Sequence, residues 1–224
     1  VLSVASATAD TILVAPDGSG DVPTIRAAIN AAAPADTIVL ADGVFTGDGN
    51  RDFTLKPRPC RIRSLSGDPE ACIIDLESHP GFYQAGSYRL YLDGITLRNG
   101  HRHERGGAVQ FAQGFLTATR CRLVGNSSNG HGGALYLSDL EWNVGNIIED
   151  CVFVANSGQD GAAAFVNDFD LVMRDCEFRD HVGSSSSVVA KRSMYGLIER
   201  CVFRDNATIG STLDVANTQT DVVD

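Results

Sequence analysis

Arg105, His131 and Asp160 each stand immediately before a glycine-led pair of small residues, Gly106-Gly107, Gly132-Gly133 and Gly161-Ala162. An imidazole held between a guanidinium and a carboxylate can bind an acidic sugar or move a proton, because imidazole ordinarily changes charge near neutrality. His101, Arg102, His103 and Glu104 lie beside the first of these residues and give the patch local cationic character. The same three residues also read as a plain exposed charge ladder. A second set combines Asp139 and Glu141 with Asp168 and Asp170. Four hard oxygen donors brought together can coordinate calcium, and unpaired carboxylates repel one another. Lys191 and Arg192 follow at the next equivalent place and offer simple neutralisation instead.

These residues can act together only if the chain returns repeatedly to the same course. Cys121, Cys151, Cys176 and Cys201 recur at intervals of 30, 25 and 25 residues. Each is followed two residues later by Leu123, Phe153, Phe178 or Phe203, and five residues later by Asn126, Asn156, His181 or Asn206. Repetition at such a period is the mark of stacked coils. Side chains alternate along a strand, so cysteine and the aromatic residue share an inward face. Ala118, Ile148, Met173 and Ile198 make a further apolar column. Leu135 and Leu137, with counterparts near Phe165 and Val189, make another. The expectation is a single all-β domain, a right-handed parallel β-helix of about seven coils with three sheets. The asparagines form a turn ladder in the left-handed conformation that asparagine tolerates, and His181 interrupts it. Opposite charges should meet between coils: Arg120 with Asp150, Asp175 with Arg200, and Arg174 between Glu149 and Glu199.

Zinc needs ligands that converge on a point, commonly from close Cys-x-x-Cys spacing, and a column of cysteines diverges from that. Parallel neighbours on adjacent coils also make disulfide torsion awkward, so the four read as buried thiols. Cys60 and Cys72, outside the ladder, are compatible with either a bridge or free thiols.

The chain of 224 residues carries a net charge of -10, which repels a phosphate backbone and argues against nucleic acid. No apolar stretch approaches the ~20 residues that span a bilayer. Residues 1–9, ending in Ala7-Thr8-Ala9, read as the remnant of an export signal. Residues 10–35 supply a strand and a helix with an apolar face of Ile25, Ala28, Ile29 and Ala32, placed to cover the first open rung. Residues 36–224 form the coils.

The opening Ile12-Leu13-Val14-Ala15-Pro16-Asp17-Gly18-Ser19-Gly20-Asp21 and its helix resemble the start of β-helix proteins of the pectate-lyase-like superfamily. Gly106-Gly107-Ala108-Val109 and Gly132-Gly133-Ala134-Leu135, alternating with Cys-x-Phe-x-x-Asn units, are similar to repeats of polymorphic outer-membrane and related surface β-helix proteins. These resemblances imply an extracytoplasmic protein. In lyases of the superfamily, calcium-binding carboxylates beside a basic residue promote proton abstraction, and the acidic set here matches that arrangement loosely. Gly130-His131-Gly132 matches a polygalacturonase motif without its companion elements, and the defining motifs of pectin methylesterases and mannuronan epimerases are absent. Trp142 is the sole tryptophan, so the usual multi-residue sugar-stacking platform has little support. The leading expectation is a non-catalytic, exported module, adhesin-like or polysaccharide-contacting. A polysaccharide lyase on acidic glycans is the alternative. A subunit of a larger surface assembly, joined end-on, is the third.

Overall fold

The computed structural model describes residues 9–84, 88–138, 145–167, 170–183, 189–192, 195–209, 212–215 and 219–223. The chain winds as a parallel β-solenoid of about six turns, close to the number expected. Its strands stack into sheets of nine, seven, seven and five strands, and the described strand pairs are parallel. Three faces follow from the sequence; the structure divides one of them. Gly106, Gly132 and Gly161 adopt φ of 58, 66 and 63° and turn the chain sharply after a strand of only two residues, which separates a short sheet from the seven-stranded one that follows. At Gly132 an added Cβ would lie 1.9 Å from the Leu135 carbonyl oxygen, so the corner requires glycine.

The other corners are built differently. The residue before each ladder cysteine is left-handed, with φ of 50 to 53° at Arg120, Asp150, Asp175 and Arg200. So is the residue before each ladder asparagine and before His181: Gly125, Ala155, Asp180 and Asp205. The left-handed position therefore precedes asparagine, and asparagine has another task. Asn126 Oδ1 accepts the Gly100 N–H (2.8 Å) and Asn156 Oδ1 accepts the Asn126 N–H (2.9 Å), while their Nδ2 groups donate to the Leu97 and Leu123 carbonyls. Buried polar side chains thus satisfy backbone groups that the corners leave without partners. His181 continues this ladder rather than interrupting it. Its Nδ1 accepts the Asn156 N–H at 2.9 Å, and its own N–H donates to Asn206 Oδ1 at 3.0 Å.

Within the coil, Phe153, Phe178 and Phe203 stack at centroid distances of 4.7 and 4.8 Å. Ala118, Ile148, Met173 and Ile198 stand in register behind them, all buried. Each ladder thiol lies 3.1 to 3.4 Å from the carbonyl oxygen two residues earlier, within reach to donate to it, and no cysteine is bridged. Cys60 and Cys72 are separately buried free thiols, and burial pushes both up to about 12. Phe165 departs from expectation. The inward partners of Leu135 and Leu137 are Ala164 and Val166, and Phe165 stands opposite Tyr136 on the outer face. Counting four residues from Gly132 and from Gly161 gives that alignment; matching hydrophobic character instead misplaces it.

At the first coil, Thr24 caps the helix Ile25–Ala31 by accepting the Ala27 N–H, and Ile25, Ala28 and Ile29 join the core. The strand Thr11–Val14 opens the nine-stranded sheet by pairing with Thr37–Leu40. Interstrand charges mostly meet as expected: Arg174 reaches Glu149 (3.4 Å) and Glu199 (3.1 Å), and Arg200 reaches Asp175 (2.6 Å). Arg120 instead turns to Asp93 on the preceding coil (2.6 Å). Such exposed pairs contribute only ~0–1 kcal/mol each, so their value lies in register. Among the described residues no helix is long and apolar enough to cross a membrane.

Candidate functional site

The glycine corners decide where the charged column stands. Because each corner leaves the short sheet at the same point, Arg105, His131 and Asp160 pair in parallel on three successive coils. Gly106 N–H donates to the His131 carbonyl (3.2 Å) and Gly132 N–H to the Asp160 carbonyl (2.8 Å), so the backbone fixes the spacing. His131 Nδ1 lies 3.2 Å from Asp160 Oδ2, an ion pair by distance when the imidazole is charged. That same Nδ1 is buried and has no well-aligned hydrogen-bond partner among the described residues.

Behind this column runs a ladder of outward side chains on the seven-stranded sheet: Tyr83, Gln110, Tyr136 and Phe165, in register on four coils. Basic groups lie against its rings. The Arg102 guanidinium sits 4.1 Å over Tyr83, and that of Arg105 sits 4.8 Å over Tyr136. The His131 ring packs at 4.7 Å on Phe165, which stacks at 5.6 Å with Tyr136. Cation–π contacts of this kind contribute roughly 0.5–2 kcal/mol and hold long side chains in place. Tyr136 and Phe165 are almost fully covered, at 6% and 5% exposure, so they orient the basic groups rather than present a stacking platform, and Tyr83 is half-buried. Gln110, between Tyr83 and Tyr136, has its Oε1 buried with no hydrogen-bond partner among the described residues.

Of the other expected residues, half-buried His101 meets Ser127 Oγ at 2.9 Å through Nδ1, while His103 and Glu104 are exposed beside Arg105. His79, not singled out by the sequence pattern, extends the basic face one coil back, 3.3 Å from Asp52; the His101 N–H bonds to its carbonyl. The only sequence signal for it is position, since the coil containing it has no glycine pair to align.

The acidic set is a different matter. Asp139, Glu141 and Asp168 lie outside the described residues. Asp170 is exposed just before the strand Leu171–Arg174, and its carbonyl accepts the Asn146 N–H at 2.7 Å. Lys191 and Arg192 belong to the strand Val189–Arg192, in register with Val166 and Asn167. Among the described residues no group of three or more His, Cys, Asp or Glu side chains is arranged to hold a metal ion.

Alongside the charged column, a shallow groove of about 450 Å³ runs over the short sheet. Asn129, Ser157, Gly158, Gln159, Val182 and Gly183 line it. No known family, characterised protein or solved structure matches the chain. The reading of the site therefore rests on its own geometry.

Proposed function

We propose that the protein is an exported, non-catalytic β-helix module, of the pectate-lyase-like kind, that contacts an acidic polysaccharide through the face built from His101, Arg102, His103, Arg105 and His131. The observation that carries this reading is the fixing of basic groups against the rings of one outward ladder. Arg102 and Arg105 lie over Tyr83 and Tyr136, and His131 packs on Phe165. Pre-ordered guanidinium groups lose less freedom on meeting a carboxylate and can pair with it bidentately. On a chain of net charge -10, the two guanidinium groups are the local cationic sites of this face, with Glu104 and Asp160 beside them.

The test is calorimetric titration with tetragalacturonate. The wild type should bind, more weakly as salt is raised, and the double variant Arg105→Ala/His131→Ala should not. Unchanged binding by the double variant rules out the site. The 3.2 Å approach of Asp160 Oδ2 to His131 Nδ1 also puts a carboxylate beside an imidazole, a pairing that proton transfer can use. New ultraviolet absorbance from unsaturated product during the titration would move the reading to a lyase.

A further inference from the structure

The groove over the short sheet differs in character from the charged column it adjoins. In the first position of the two-residue strands the outward residues run His101, Ser127, Ser157, Val182 and Ala207 on successive coils. The second position runs Arg102, Ser128, Gly158, Gly183 and Thr208, and Ser128, Gly158 and Gly183 are buried. Charge therefore falls away along the coil axis after His101 and Arg102. The groove lies over the uncharged coils.

We propose that this groove is a second subsite, one that takes an uncharged pyranose unit, and that the ligand is a mixed acidic and neutral heteropolysaccharide lying along the coil axis. The proposal rests on the acidic-glycan reading above and adds the ligand's second component. None of the lining side chains carries a charge. Asn129 is an exposed amide with donors and an acceptor, and Ser157 adds a hydroxyl; these are the groups that recognise sugar hydroxyls. Val182, 61% exposed, offers an apolar surface for the C–H face of a ring. A volume of about 450 Å³ falls within the usual range of small-ligand clefts, roughly 300–1,000 Å³.

Continuity with the charged column fixes the order of the two units. Asn129 is two residues from His131, and Gln159 directly precedes Asp160. The Gln159 N–H donates to the Gly130 carbonyl at 2.7 Å, tying the two corners together. Coils repeat about every 4.8 Å. A chain that places a carboxylate at Arg105 would thus lay its following units over the groove.

The proposal is tested by titrating three tetrasaccharides at one ionic strength: tetragalacturonate, cellotetraose, and one alternating glucuronate with glucose. The wild type should bind the alternating ligand at least about tenfold more tightly than tetragalacturonate. Ser157→Phe, which fills the groove from an outward strand position, should remove that advantage, bringing the alternating ligand to no more than the affinity of tetragalacturonate. Val182→Asp serves as a second block should the first variant misfold by circular dichroism. Equal affinity for the alternating and acidic ligands, or an advantage that survives both variants, overturns the subsite and leaves the acidic-glycan reading standing. Binding of cellotetraose alone, lost in Ser157→Phe, overturns the acidic reading and the mixed ligand together. No binding of any of the three overturns both.

Discussion

Replacing His181 by asparagine isolates the one place where the turn ladder changes chemistry. His181 is fully buried and uses Nδ1 as the acceptor that asparagine Oδ1 provides on neighbouring coils. Its Nε2 is buried without a partner among the described residues, whereas Asn206 Nδ2 donates to the Phe178 carbonyl at 3.0 Å. Asparagine at 181 would reach the Phe153 carbonyl by the same geometry, a gain of about 1 kcal/mol offset by the smaller side chain. Near pH 7.5 the two proteins should therefore agree within about 1 kcal/mol. Acid separates them. Burial, opposed by hydrogen bonding to Asn156, lowers the His181 pKa from 6.5 to about 4. Between these values the unfolded chain binds a proton that the folded chain refuses, so stability falls as pH drops from 6.5 toward 4. A shift of that size corresponds to roughly 3 kcal/mol. Urea unfolding followed by far-ultraviolet circular dichroism at several pH values measures the difference. Carboxylate titration is common to both proteins and cancels. His181→Asn should gain roughly 3 kcal/mol on the wild type across that window, and parallel pH profiles would refute the ladder role of His181.

Three further outcomes follow from the packing. Intact mass should be the same with and without reductant, and in the native state Cys60, Cys72 and Cys151 should resist iodoacetamide at pH 8 while urea exposes all six cysteines. Rapid native alkylation of Cys151 would contradict its buried place. Phe178→Ala removes the central ring of a three-ring stack and should cost about 3–5 kcal/mol in urea unfolding; a loss below 1 kcal/mol would mean that the stack is not formed. Gly132→Ala places a Cβ against the Leu135 carbonyl at positive φ, so it should lower thermal stability and tetragalacturonate affinity together. An unperturbed variant would show that the corner is not as described.

The coil was legible because cysteine, the aromatic position and asparagine recur at fixed offsets, and inward columns depend only on alternation. Register was also legible from the glycine pairs, which bring Arg105, His131 and Asp160 together. What the sequence hid were features set by corner geometry. Left-handed φ falls on arginine and aspartate as readily as on glycine, so nothing in Arg120 or Asp150 announces a corner. Phe165 looked like core because it is aromatic, yet its neighbours Ala164 and Val166 face inward. The outer ladder of Tyr83, Gln110, Tyr136 and Phe165 breaks its aromatic run with an amide, which conceals it from a search for repeated residue types. The groove is invisible in the sequence for a simpler reason: its lining comes from three coils whose pairing must be known first.

Mapping the ligand by amide chemical shifts on isotope-labelled protein tests the proposed binding face most directly. Titration with tetragalacturonate should shift the amides of His101, His103, Arg105 and His131 while leaving those of Tyr91, Thr117 and Val172, on the nine-stranded sheet, unmoved. Shifts confined to the nine-stranded sheet, or none at saturating ligand, would contradict it.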